Sequence, residues 1–355
     1  MYTFFYIVYN ICLHFVISLL TIYRHTSTFS HVRLVYDIAT RPNMYISKHD
    51  PVLQNEIKEL FSFDQNTVYV DATLGFGGHA KQILDNVPSI QTLVGIDMDT
   101  KHLEYARNEL KPYSTSRTLI FEHNRFENVF EVCQKHKLIG KVTSILFDFG
   151  ICSAHIDNPE RGFSYMHNGP LDMRMDGQAK ETAKDIVNTA DVQDLTNIIR
   201  TFGEEKHAYK IALAIEKQRK ISPIETTFDL VHIIETLFPS YKSRDPITKT
   251  FQALRIRTNN ELTQIQKAIT SCIDILRPGG IVACISYHSL EDRIVKNIFR
   301  DAAKEYEYTS TRVDAERIYR QQGILLTKKP IVPKQTEIEY NTRARSAKLR
   351  ALKKI

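Results

Sequence analysis

Residues 67–80, TVYVDATLGFGGHA, restrict the possible folds more than any other stretch of the chain. A β-branched apolar run ends at Asp71, a glycine-rich turn begins four residues later, and AKQILDNV follows at helical spacing, so the segment is predicted to be strand, turn, helix. Gly75, Gly77, Gly78 and Ala80 satisfy G-x-G-x-x-G/A, and the next apolar strand, LVGID, ends at Asp97. Glycine suits such a turn because a side chain would keep the backbone away from a ligand, while an acid at Asp97 can accept both ribose hydroxyl protons of an adenosine. The pattern fits a dinucleotide-dependent oxidoreductase and an S-adenosylmethionine-dependent methyltransferase about equally. A tight turn with no ligand is the plain alternative.

Further strands are predicted at TLIFEH and at KVTSILFDFG, the latter closing at Gly150, with amphipathic helices between the strands. Fully apolar strands alternating with helices indicate a parallel sheet covered on both faces. After Cys152 the alternation stops. A turn-rich loop, DNPERGFSYMHNGPLDMRMDG, leads into helical stretches such as DVQDLTNIIRTFG and KHAYKIALAIEKQRK. Strand logic returns after a helix from Thr250 to Leu276, a turn at Arg277 to Gly280 and the buried run IVACISY. The expected organisation is an N-terminal extension (1–46), a first α/β part (47–156), a mainly helical insert (157–246), a second α/β part (247–340) and a basic C-terminal tail (341–355).

Length agrees with this division, since 355 residues at about 150 per domain suggest two domains. With 43% apolar and 25% charged residues, the chain is not disordered, collagenous or coiled-coil. Five cysteines without a C-x-x-C pair exclude the usual zinc spacings and give no disulfide framework, which points to a reducing compartment. Six of the 47 lysines and arginines lie between Asn341 and Ile355, where there is no acid; the remaining 41 equal the 41 acids. Such a tail reads as a solvated end whose natural partner is a phosphate backbone.

The first 23 residues are long enough for a membrane span, but Asn10, His14 and several tyrosines make a poor one. Arg24, Arg33 and Arg41, with Ser27, Thr28 and Ser30 against the single acid Asp37, carry the bias of an organellar transit segment. A removable mitochondrial presequence and a matrix location are expected. The rivals are a membrane anchor, and an upstream extension with the real start at Met44, which would make the protein cytoplasmic.

Two acids favour a methyltransferase. Asp71 closes the first strand where a carboxylate can position the turn and a charged methionine portion, and Asp148 lies at the carboxyl edge of the fourth strand, where α/β ligands bind. Asp99 reads as a helix N-cap. Asp97 and Asp99 as a metal pair are set aside for want of histidine or further acids at ligand spacing. His288, with Ser286, Ser289 and Asp292 nearby, does not form a hydrolase triad, since no G-x-S-x-G elbow occurs. Ser289 to Asp292 fits a capping box instead, leaving His288 at a strand's carboxyl edge facing the substrate side. Glu204 and Glu205 read as solvated or structural.

With these pieces placed, residues 49–352 closely resemble the bacterial small-subunit ribosomal RNA cytosine-N4 methyltransferases (RsmH, also called MraW) and their mitochondrial relatives. The resemblance rests on DATLGFGGHA, FDFGICS, NPERGFSY, GPLDMRMDG, FGEEKHAYKIALAI, TKTFQALRI, LRPGG, SYHSLEDRIVK and NTRARSAKLRA, in the family's order. It implies a Rossmann-like class I methyltransferase fold with an inserted helical domain, S-adenosyl-L-methionine as cofactor, and small-subunit ribosomal RNA or the assembling subunit as partner. No metal and no stable membrane partner are expected.

By the same resemblance, Gly77, Gly78 and His79 match the cofactor loop, Asp97 the ribose acid, Phe126 a cofactor-contacting aromatic, and Asp148 the acid beside the transferable methyl. His155 stands where the family has glutamine, Phe76 where bacterial members usually have arginine, and Tyr287 where they usually have phenylalanine. Arg161, Phe163, Arg174 and His288 are candidate substrate contacts. For Arg161, Arg174 and Arg293, pairing with neighbouring acids is an equal alternative. Phe149, Phe163 and Tyr287 are candidate stacking platforms for an unstacked base, with core packing the favoured alternative for each. A ribosome-assembly factor that binds RNA without catalysis is the reading from another class, and a nicotinamide-dependent dehydrogenase is the third.

Overall fold

The computed structural model describes residues 51–61, 63, 67–151, 153–177, 179–239, 244–308, 317–319 and 321–355. The expectations for residues 1–46 lie outside them. Five parallel strands, β1 (Thr67–Asp71), β2 (Ile90–Asp97), β3 (Thr118–His123), β4 (Val142–Asp148) and β5 (Leu276–Ser286), are followed by β6 (Gly323–Leu325) and β7 (Lys348–Lys354). Their order is β3-β2-β1-β4-β5-β7-β6, with β7 antiparallel to both neighbours. The chain reverses direction across the sheet between β1 and β4, which is where ligands of open α/β sheets bind.

Alternation along the strands fills both faces. Val70, Ile145, Phe147 and Cys284 pack under one layer of helices, and Tyr69, Leu146, Ala283 and Ile285 under the other. Helices α1 (Gln54–Leu60), α2 (Gly78–Asn86) and α3 (Thr100–Leu110) cover the second face, and α4 (Val129–Lys135) lies on the first. The fold is the Rossmann-like α/β arrangement expected.

A short helix, α5 (Ser153–Asp157), follows β4. The chain then runs through α6 (Ala183–Thr189), α7 (Val192–Gly203), α8 (Ala208–Arg219) and α9 (Thr227–Leu237), which gather around a separate core that includes Leu195, Ile211, Ile215, Leu230 and Phe251. The helix expected from Thr250 to Leu276 is two helices, α10 (Arg244–Asn259) and α11 (Glu261–Ile275), broken at Asn260, whose φ of 53° is one that asparagine tolerates. The turn expected at Arg277 to Gly280 lies inside β5, where the register against β4 slips between Val142 and Ser144.

Two further expectations are corrected. Helix α12 (Ser289–Ala302) is capped one residue earlier than S-x-x-D implies: Glu291 Oε2 accepts the backbone N–H groups of Tyr287 (2.7 Å) and His288 (3.2 Å). Asp292 is thereby left to receive both arms of Arg350 at 2.6 and 3.1 Å. The basic C-terminal segment is not a solvated tail. It continues from α13 (Gln335–Tyr340) into β7, and the Arg350 side chain is only 8% exposed. Charge count alone cannot distinguish a solvated arginine from one whose carboxylate partner lies 58 residues away.

Candidate active site

The acids that close β1, β2 and β4 share one edge of the sheet, because the strands run parallel: Asp71 pairs with Gly95 and Leu146, two residues before Asp97 and Asp148, and Asp148 pairs with Ile285. Between them lies the turn that starts α2. Gly77 caps that helix with φ 82°, and a Cβ on Gly78 would lie 2.8 Å from Pro51 Cγ, so these two positions favour glycine.

Asp97 points back across this turn. Its Oδ2 accepts the Gly75 N–H at 2.7 Å and keeps a lone pair for a hydroxyl donor, while its Oδ1 accepts the Asp99 N–H at 2.8 Å and lies 3.4 Å from His102 Nδ1. Asp148 is fixed from three sides. Its N–H donates to Thr73 Oγ1 (2.7 Å), its Oδ1 accepts the Tyr287 hydroxyl (2.8 Å), and its Oδ2 lies 3.6 Å from His79 Nε2. His79 is buried, and neither ring nitrogen has a hydrogen-bond partner among the described residues. A backbone cradle, an acid with a free lone pair and a buried imidazole without a hydrogen-bond partner among the described residues fit an adenosine-bearing ligand that also carries charged groups.

Burial sets the electrostatics. It pushes the Asp71 carboxyl up to about 6, against the opposing pull of His79, and Asp148 adds to the rise. Burial and then the Asp148 carboxylate hold the Tyr287 phenol well above its ordinary value. At Asp99 burial acts upward, but His102, the Lys101 N–H, His155 and Arg161 outweigh it and hold the carboxyl low. Glu291 is also held low, since His288, Arg255 and the Tyr287 N–H overcome its burial.

The remaining predicted residues divide. Phe126 packs its ring 5.6 Å from Phe149 and 6.3 Å from Phe147, next to the carboxyl end of β4. His155, on α5, stacks on Phe163 at 5.2 Å and faces Asp99. Arg174 forks onto Asp172 and reaches the Ala179 carbonyl, and Arg161 donates to the carbonyls of Arg174 and Met175, so both guanidiniums brace the loop. His288 does not face the substrate side: its side chain is 10% exposed and turns inward, with Nε2 3.1 Å from Glu291 Oε1. Glu204 is not simply solvated. It accepts from Ser289 and, at 2.7 Å, from Arg293, which ties the end of α7 to the start of α12.

Three contributors escaped the sequence reading. Thr73 and the Tyr287 hydroxyl act on Asp148 through the fold, and no local spacing announces them. His102 had a signal, since it stands three residues after Asp99 in the first turn of α3. The structure brings its Nε2 to 3.8 Å from Asp99 Oδ2, so the absence of histidine, on which the metal reading was set aside, does not hold for Asp99.

Residues 46–355 match the sequence model of the MraW methylase family. The ribosomal RNA small subunit methyltransferase H of Halothermothrix orenii is 41% identical over 311 residues, covering 87% of this chain and 99% of that protein. The protein of the same name from Fusobacterium nucleatum is 40% identical over 307 residues, covering 86% and 97%.

Proposed function

Because the chain belongs to the MraW methylase family, we propose that it uses S-adenosylmethionine to methylate the N4 amine of one cytidine in small-subunit ribosomal RNA. The observation that carries this reading is Asp148 at the sheet edge beside the Gly77 turn and Asp97, its backbone N–H tied to Thr73 and its carboxylate held by the Tyr287 hydroxyl. When bound, the cofactor supplies an electrophilic methyl group. Asp97 and the N–H groups of the turn hold the adenosine end, with His79 and His155 within the same edge.

The amine of cytosine is a weak nucleophile because its lone pair is delocalised into the ring. Asp148 Oδ2, the oxygen that Tyr287 leaves open, accepts an amine N–H and concentrates electron density on nitrogen. Holding that nitrogen still also supplies proximity. The base must leave its stack to reach this carboxylate. The helical insert, joined to α12 through Glu204, supplies one wall of the RNA groove in this reading.

Labelled S-adenosylmethionine and small-subunit RNA, followed by mass spectrometry of the nucleosides, test the assignment. N4-methylcytidine is expected, and label on another base overturns it. Asp148→Ala separates catalysis from a purely RNA-binding assembly role: the variant should fail to rescue cells, whereas full rescue favours assembly. We place the activity in the mitochondrial matrix on the Arg- and Ser-rich, acid-poor run of residues 24–41. Sequencing the mature N-terminus tests this, since retention of Met1 excludes a cleaved presequence.

A further inference from the structure

Beside the cofactor edge, Asp99, His102 and His155 converge, and we propose that Asp99 Oδ2, His102 Nε2 and His155 Nε2 form a three-ligand site for a transition-metal dication of the zinc class. One potential ligand atom from each of the three residues lies within 4.8 Å of the other two. Asp99 Oδ2 is 3.8 Å from His102 Nε2 and 3.9 Å from His155 Nε2. Tetrahedral coordination with arms of about 2.0–2.1 Å places neighbouring ligands about 3.4 Å apart. Each Asp99 edge therefore needs to shorten by about half an ångström, within the reach of side-chain rotation.

Each ligand is already oriented for this. Asp99 uses Oδ1 to cap α3 by accepting the Lys101 N–H at 2.8 Å, which leaves Oδ2 toward the histidines. His102 Nδ1 lies 3.4 Å from Asp97 Oδ1, the carboxylate-to-imidazole contact that holds a metal-binding histidine with its other nitrogen forward. His155 supplies the second observation, since only one of its two ring nitrogens can serve the cofactor edge. Its side chain is 8% exposed, and neither ring nitrogen has a hydrogen-bond partner among the described residues. A buried imidazole with both nitrogens unmet is costly unless something completes it.

Two neutral imidazoles and one carboxylate are the donor set preferred by zinc, cobalt and their neighbours rather than by calcium or magnesium. The only other such cluster among the described residues, Glu261, His288 and Glu291, differs in charge: Arg255 forks onto both oxygens of Glu261 at 2.9 Å and already neutralises it. At Asp99 the ion would fasten α5 to the first turn of α3.

The test is a cobalt(II) titration of the untagged, chelator-stripped full chain, read by visible absorption, with zinc as competitor. One cobalt per chain is expected, with d–d bands of a nitrogen and oxygen ligand set that zinc abolishes. His155→Gln and Asp99→Asn should each weaken binding about tenfold or more. Asparagine caps helices as well as aspartate does, so Asp99→Asn keeps α3 intact if His155→Gln should disturb folding. No saturable bands, a thiolate charge-transfer band, or unchanged affinity in a folded variant overturns the proposal. Metal binding is read without methyl transfer, so failure here leaves the proposed methylation standing.

Discussion

The Tyr287 hydroxyl donates a 2.8 Å hydrogen bond to Asp148 Oδ1 from a position 139 residues away in the chain. It occupies one carboxylate oxygen and leaves the other toward His79 as the acceptor at the sheet edge. Tyr287→Phe keeps the ring packed and removes only this bond. A hydrogen bond to a charged group contributes about 1.5–3 kcal/mol, part of which water restores. The expected result is a fall in kcat of about three- to tenfold with little change in the KM for S-adenosylmethionine. An unchanged kcat would show that the Asp148 carboxylate does not depend on the Tyr287 hydroxyl for its position.

Gly77 allows the turn to exist. At φ 82° an alanine costs about 1–2 kcal/mol, and its Cβ would stand 3.3 Å from that of Ala106. Gly77→Ala should lower the melting temperature and weaken S-adenosylhomocysteine binding about tenfold in calorimetry. Wild-type affinity in this variant would mean that the ligand does not rest on the turn.

In the Arg350 and Asp292 pair the guanidinium is buried and the carboxylate largely so, with side chains 8% and 14% exposed. Asp292→Ala strands a guanidinium inside the sheet, at a cost of about 3–5 kcal/mol in chemical denaturation. Replacing both partners, Asp292→Ala with Arg350→Met, should recover most of the loss. If the single and double variants are equally unstable, the charge is not the cause.

Asp71 gives the stability a pH dependence whose sign follows from burial. Its folded carboxyl titrates at about 6 instead of near 3.8, so above pH 6 the charge is present in both states and its burial destabilises the native one by about 3 kcal/mol. As pH falls from about 6 toward 4, the folded state takes up the proton first and gains stability from this group. Asp71→Asn should therefore melt no lower than wild type near pH 7.5 and lose this gain on acidification. A variant that keeps the full wild-type gain places its source elsewhere.

Much of the site was legible because it is local. Apolar runs ending in Asp71, Asp97 and Asp148 identify parallel strands by their ends, and parallel strands bring those ends to one edge. The arginines were not resolved by spacing, because Arg161 and Arg174 could have faced solvent phosphate or their own loop, and only the fold closes that loop around them. His288 misled for the same reason: its place at a strand end was right, but Glu291 pulls its ring inward.

The sequence by itself determined the strand order's raw material, the glycine turn and the two acids flanking it, since these depend on side-chain periodicity and on which residues permit a left-handed backbone. The tertiary structure decided that the basic C-terminus is a strand held within the sheet, that Tyr287 meets Asp148, and that His155 joins Asp99 and His102. Those contacts join residues up to 139 positions apart, and the packing that brings them together is a property of the whole sheet and its helices, not of any window along the chain.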